Sequence, residues 1–225
     1  MISKLIFDLG FHKGEDTANY LSKGYNVIAV EANTELFEIG TRFFKSEIEN
    51  GKLALLNKAI HGTSGAIVSF FINKNVTEWG SIKQEIAGQD KSKAVEQKIE
   101  TITFADLCKE YGVPYYCKVD IERADLFVAY NLYRYQPPYI SFELNKIDYF
   151  DIFCYLKQNG YTKFQLRNQA NNNPYGSSGD FGVELPNYNW IDIHEALKRY
   201  IKFNELRQLD YSNLSFGWMD LHARL

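Results

Sequence analysis

Leu5-Ile6-Phe7-Asp8-Leu9-Gly10-Phe11-His12-Lys13-Gly14 decides the fold of this chain. An apolar run meets Asp8, and glycines follow at 10 and 14. A polar segment comes next, and a second apolar run, Asn26-Val27-Ile28-Ala29-Val30, closes on Glu31. The pattern reads as strand, tight glycine turn, helix, second strand, and an acid at that strand's tip. Gly10 permits a sharp turn and leaves no side chain between the main chain and a ligand. The helix that follows starts with unpaired N–H groups aimed over the turn. An acid closing the next strand is where nucleotide folds grip a ribose diol. The stretch therefore predicts an adenosine-containing ligand.

Outward from this turn, apolar and polar segments alternate. Strands are expected over 4–9, 25–31, 53–56, 66–72, 96–101, 115–119, 139–142, 161–166 and 216–221. Helices are expected over 15–23, 33–49 (Asn33 as N-cap), 103–111 (a Thr103/Asp106 capping box), 124–133, 149–157 and 192–209. Residues 168–189 form a long polar loop, a length that usually signals function. Alternating strands and helices predict an α/β, Rossmann-like fold: a mostly parallel sheet with helices on both faces. No repeat or linker divides it, so residues 1–225 are read as one domain. Ligands in such sheets bind beyond the strands' carboxyl ends. Five of those ends are polar: Asp8, Glu31, Asn57, Asp120 and Glu143.

Composition limits the partners. Net charge is −3, which offers no general polyanion-binding surface, so nucleic acid is not expected. No secretory signal or membrane span is visible, and the three cysteines lack metal-ligand spacing. A cytoplasmic protein with reduced thiols is expected, acting on a small molecule or glycan and not on a membrane; the oligomeric state is open.

The turn is Asp-x-Gly-x-x-x-Gly, not the Gly-x-Gly-x-x-Gly of dinucleotide sites. Asp8 precedes it, and Glu15 and Asp16 open the helix. Carboxylates there repel a pyrophosphate and favour a ligand bearing an amine and a sulfonium, namely S-adenosylmethionine. The expected cofactor contacts are Asp8, Gly10, Phe11, His12, Lys13 and Gly14 around the turn, with Asp16 and Thr17 toward the methionine end. Glu31, Ala32 and Asn33 would lie by the ribose, Asn57, Lys58 and Ala59 by the adenine, and Asp120 between donor and acceptor.

Asp120 and Glu122, two apart at a strand end, would share a face if extended. They could hold an acceptor hydroxyl, act as base, or bind a divalent cation with Glu143; a divalent metal is possible, and the sequence leaves metal dependence open. Lys118 falls on the same face and reads equally as a solvent-reaching lysine or a contact to the acceptor oxygen. His12 is a candidate base, or a turn histidine bonded to backbone. Trp79, Ser81, Arg123, Ser177 and Ser178 are candidate acceptor contacts, with Trp79, Ser81 and the Gly176–Gly179 segment as lid candidates.

These residues also carry a resemblance. Asp8-Leu-Gly-Phe-His-Lys-Gly-Glu-Asp-Thr, Val30-Glu31-Ala32-Asn33, Lys118-Val119-Asp120-Ile121-Glu122 and Phe142-Glu143-Leu144 resemble the FkbM-type S-adenosylmethionine-dependent methyltransferases. Gly176-Ser-Ser-Gly and Trp218-Met-Asp-Leu-His are similar to features of one subgroup. The resemblance implies the class I methyltransferase sheet, seven strands with the last antiparallel. It also implies methyl transfer to a hydroxyl of a sugar, or of a polyketide or other natural product. Arg123 departs from the family, which has Gly after Asp-x-Glu. The competing readings are a dinucleotide-dependent oxidoreductase, against which the turn's missing second glycine argues, and a module that binds S-adenosylmethionine without catalysis.

Overall fold

A computed structural model describes residues 4–88, 94–169, 179–208 and 217–225. The strands are β1 (Leu5–Leu9), β2 (Asn26–Val30), β3 (Leu53–Leu56), β4 (Ala59–Ile60), β5 (Ile67–Ile72), β6 (Val95–Ile102), β7 (Tyr116–Val119), β8 (Tyr139–Leu144), β9 (Lys163–Asn168) and β10 (Met219–Arg224). Seven of them form the main sheet in the order β3-β2-β1-β7-β8-β10-β9. The ladders from β3 to β8 are parallel, and β10 runs antiparallel to both β8 and β9. This is the expected Rossmann-like α/β sheet, reversed only in its last strand.

Helices cover both faces, as strand alternation requires. Phe7, Leu9, Ile28 and Val30 point to one face. There they meet α5 (Phe104–Tyr111), α6 (Leu126–Ala129), α7 (Tyr149–Gln158) and α8 (Ile193–Gln208) through Leu107, Val128, Ile152 and Ala196. Ile6, Val27 and Ala29 point to the other face, toward α1 (Glu15–Ser22) and the segment around Phe44, through Tyr20 and Phe44. Among the described residues no helix is long and apolar enough to cross a membrane.

Three expectations are corrected. The helix over 33–49 breaks at Phe44 into α2 (Thr34–Phe43) and α3 (Lys45–Glu49). The break turns Phe44 inward, edge-on to Phe11 at 5.7 Å, and leaves Phe43 77% exposed. Asn33 does cap α2, its side chain accepting from the Glu35 N–H at 3.0 Å. The strands over 66–72 and 96–101 do not join the main sheet. They pair with β4 in a separate sheet of order β4-β6-β5, next to the short helix α4 (Gln84–Ala87). The Thr103/Asp106 box is half-formed. Thr103 Oγ1 accepts from the Asp106 N–H, but the Thr103 N–H donates to Ser64 Oγ, whose own hydroxyl bonds Asp106.

Packing alone requires both turn glycines, although Gly10 also faces the cavity described below. At Gly10, φ is +98°, and an added Cβ would lie 1.8 Å from the Asp120 carbonyl oxygen, because the parallel β1 and β7 end side by side. At Gly14, φ is +84°, and a Cβ would fall 2.5 Å from Phe44 and 2.6 Å from Phe11. The Phe11 ring thus sits in the core, also within 2.5 Å of where a Cβ on Gly40 would be. Gly10→Ala is expected to destabilise the fold by about 3 kcal/mol or more, through backbone strain and overlap with a carbonyl that cannot rotate away. Urea denaturation tests this; a change under about 1 kcal/mol would contradict the packing described.

Candidate active site

Beyond the carboxyl ends of the main-sheet strands lies a cavity of about 610 Å³, within the range of small-molecule sites. Its character changes along the sheet. On the β2 and β4 side the walls are apolar, from Leu36, Ala59, Ile60, Phe70 and Ile82. On the β7, β8 and β10 side they are acidic and amide-bearing, from Asp120, Glu122, Glu143 and Gln169, with the Trp218 indole beside them. Glu31 and the turn after β1 lie between.

The acidic half is organised around Lys118. In the sheet register Lys118 pairs with Asp8 on β1. Its Nζ lies 3.1 Å from Asp120 Oδ2, 3.4 Å from Asp16 Oδ2 and 4.0 Å from Asp8 Oδ1. It does not stretch to solvent: three carboxylates surround it at the cavity wall. Burial opposes its charge, but the acids prevail and raise its pKa well above the ordinary lysine value.

Asp8 is wholly buried beneath the turn and does not line the cavity, which corrects its assignment as a cofactor contact. Thr17, also expected at the cofactor, instead donates to Asp8 Oδ2 at 2.6 Å, and Asp8 Oδ1 has no hydrogen bond. Burial lifts the Asp8 pKa to about 7 despite Lys118.

Asp120 and Glu143 are pushed apart. Burial favours protonating Asp120, but Lys118 and a hydrogen bond from Glu143 hold its pKa below the usual carboxylate range. Glu143 is raised well above that range by burial and by Asp120, Glu122 and Asp220. At neutral pH the pair therefore holds one proton, on Glu143, which donates to Asp120. Carboxylate oxygens of Asp120, Glu122 and Glu143 all lie within 4.8 Å of one another. The sequence argument for this convergence was wrong in its cause. The chain beyond β7 is not extended: Glu122 (φ +47°) and Arg123 (φ +75°) form a left-handed turn, and that turn brings Glu122 back to Asp120.

The turn after β1 and the β2 tip have their own bracing. Glu31 Oε2 accepts from the His12 N–H and Oε1 from the Asn33 N–H, each at 2.7 Å. Burial nonetheless raises its pKa to about 7. His12 has φ +52°, and its Nε2 meets Thr77 Oγ1 at 3.0 Å while Nδ1 lies 3.6 Å from Glu15, so the imidazole spans the turn and the segment after β5.

Several other expected residues do not line the cavity. Asn57 donates to the Glu31 carbonyl at 2.9 Å and receives Thr34, buttressing the β2 tip, while Lys58 and Ala59 do line the wall. Phe11 contributes to the wall, but its ring packs inward as described. Lys13 is exposed, and Gly14 is filled against aromatic rings. Ser81 and Arg123 bond to the protein itself and are absent from the wall, whereas Trp79 is part of it. Ser177 and Ser178, with Gly176, lie outside the described residues. Gly10, His12, Asp16, Ala32 and Asn33 line the wall, as do Lys118, Asp120, Glu122 and Glu143.

Sequence reasoning passed over Gln169 and Asp220. Gln169 Nε2 donates to Asp220 Oδ2 at 2.8 Å, and Asp220 sits opposite Glu143 in the β8–β10 register. The signal was polar alternation, Asp220 and His222, in a short apolar segment. Burial, then Asp120 and Asp16, raise the Asp220 pKa to about 8.

No family model and no curated protein sequence matches the chain. Solved structures resemble it in outline. Precorrin-6Y C5,15-methyltransferase from Geobacter metallireducens GS-15 is 8% identical over 99% of this chain and 82% of its own, with a TM-score of 0.44. Phosphoethanolamine N-methyltransferase 2 from Haemonchus contortus, in complex with phosphomonomethylethanolamine and S-adenosylhomocysteine, is 9% identical over 99% of this chain and 49% of its own, with a TM-score of 0.41. The chain thus spans about half the length of the second. Likeness this distant concerns fold outline and carries no weight for activity.

The raised Asp220 pKa fixes a pH dependence of stability. Between the ordinary aspartate pKa of about 3.9 in the unfolded chain and about 8 in the fold, the native state holds a proton that the unfolded chain has lost. This contribution is fully present below the lower value and disappears as pH rises through the upper one. Asp220→Asn, which keeps an acceptor for Gln169, should therefore gain on the parent between pH 5 and 8, by up to about 1.4 kcal/mol per pH unit. Urea unfolding at both pH values measures it, and parallel stability curves would refute it.

Proposed function

We propose that the protein is an S-adenosylmethionine-dependent methyltransferase that methylates a hydroxyl group of a sugar or glycan. One observation carries the reading: a single cavity joins an apolar half, bounded by Glu31, to an acidic half built on Asp16, Asp120, Glu122 and Glu143. A flat purine suits the first half and a cationic amino-acid tail the second. A dinucleotide would bring two phosphates against Glu15 and Asp16, which open the helix over the turn.

The residues present fit this cofactor. Leu36, Ala59, Ile60 and Phe70 would enclose the adenine. Each Glu31 oxygen accepts one backbone N–H and keeps a second lone pair for a ribose hydroxyl. Asp16 would face the amine. When bound, the cofactor supplies a methyl group already activated on a sulfonium.

The rest falls to this chain. An alkyl hydroxyl is a poor nucleophile at neutral pH, so a group must take its proton as the new C–O bond forms. Asp120, kept ionised by Lys118, stands where donor and acceptor halves meet, and a carboxylate oxygen of Asp120 takes the proton. Glu143, neutral, donates to Asp120 and holds it in place. Two neighbouring carboxyls with pKa values driven apart are a recurrent basis for dividing such roles. Glu122, Gln169 and Trp218 would orient the acceptor: acids and amides match hydroxyls, and an indole offers a flat apolar face to a sugar ring. The FkbM-type motifs quoted above point the same way.

Calorimetry with S-adenosylhomocysteine should show binding to the parent, weakened about tenfold or more in Glu31→Ala. Asp120→Asn should still bind it, while losing roughly 10²–10⁴-fold in methyl transfer across a panel of sugar and polyketide alcohols. Absence of binding by the parent would refute the cofactor, and undiminished turnover in Asp120→Asn would refute the base.

A further inference from the structure

The left-handed turn at Glu122 and Arg123 is held from two sides. Neither residue is glycine, and each is strained in this backbone region unless its surroundings fix it. On one side stands Ser81, completely buried, next to β5 of the small sheet, where it bridges Phe71. Its hydroxyl donates to the Glu122 carbonyl at 2.7 Å and accepts the Lys83 N–H at 3.1 Å. On the other side the Arg123 guanidinium meets Asp148, at the start of α7, with Nε to Oδ2 at 3.0 Å. The turn is thus clamped between the small sheet and the helical layer. Its clamped shape sets the Glu122 carboxylate beside Asp120 and Glu143.

We propose that Ser81 and the Arg123–Asp148 pair are positioning residues for the acid cluster. They hold Glu122 in a conformation it would not keep unaided, and through it they set the environment of Glu143. This rests on the reading of Asp120 and Glu143 as the proton-handling pair, but not on the identity of the cofactor. It also accounts for an arginine where the resembled family has glycine. Glycine occupies φ +75° freely, whereas arginine there needs a tether, and Asp148 supplies one. Neither Ser81 nor Arg123 lines the cavity, so neither touches the acceptor directly.

The groups facing Glu143 define the readout. They are Asp120 at the end of β7, Glu122 from the turn, Asp220 from β10, and Tyr200 from α8. Of these, only Glu122 should move when the clamp is cut.

The test uses infrared pH titration of the protonated-carboxyl band that Glu143→Gln removes, applied to the parent, Ser81→Ala, Arg123→Ala and Arg123→Lys. With the clamp cut, Glu122 withdraws its charge, and the Glu143 midpoint should move to lower pH in Ser81→Ala and Arg123→Ala. Arg123→Lys, which keeps a cation for Asp148, should return the midpoint toward the parent. Thermal melts identify which variants are folded. Should Ser81→Ala not fold, Arg123→Ala decides the matter, because it leaves a side chain at φ +75° without its tether. A midpoint equal to the parent's in the folded clamp variants would overturn the proposal. S-adenosylhomocysteine calorimetry on the same samples keeps the two ideas apart: failure of the parent to bind removes the cofactor reading and leaves the infrared result standing.

Discussion

Everything in the acidic half of the cavity depends on one buried ammonium. Lys118 lies among Asp8, Asp16 and Asp120, so a single positive charge answers three carboxyl groups from β1, α1 and the end of β7. One cation cannot neutralise three anions away from water, and the surplus is resolved by protons. Asp120, nearest and supported by Glu143, stays ionised. Asp8, farthest and wholly buried, is driven toward neutrality. The same deficit continues outward to Glu143 and Asp220, which hold protons because they are buried and because Asp120 nearby holds charge. Burying so many acids is costly; what results is a rim whose proton content responds to small changes in charge nearby.

Much of this was legible in the residues. The β1–turn–α1–β2 unit follows from apolar runs, glycines and the acids that start the helix. The mostly parallel sheet with helices on both faces follows from strand–helix alternation, although its strand order does not. What could not be read was set by contacts distant in sequence. Gly10 looked like a ligand-approach glycine, yet the Asp120 carbonyl more than a hundred residues on requires it. Phe11 looked like part of a ligand loop, yet Gly14, Gly40 and Phe44 leave a slot for its ring. Asp120 and Glu122 were paired by strand alternation, and the structure pairs them by a backbone turn that alternation cannot foresee. Asp220 was overlooked because its importance comes from lying opposite Glu143, which only the antiparallel register reveals.

The small sheet is the largest departure from a simple alternating reading. Its strands were recognisable, but nothing local in β5 or β6 told that they pair with each other and with β4 instead of extending the main sheet. It places Phe70, Thr77, Trp79 and Ile82 along one wall of the cavity and delivers Ser81 to the Glu122 turn. The apolar and acidic halves of the cavity are therefore bridged by one segment, fastened to His12 at one end and to Glu122 at the other.

The place of β10 has a consequence for how the molecule assembles. It enters last in chain order, yet it lies between β8 and β9, and β9 at the sheet margin has no other main-sheet neighbour. Until β10 inserts, β8 presents an open edge and β9 has no ladder to join. Such a step closes long loops before any contact rewards them, so it belongs late and slow in folding. An unpaired β8 edge during that interval is a template for pairing with another chain. Since β10 also carries Asp220, the acid rim reaches its final proton balance only when this insertion is complete.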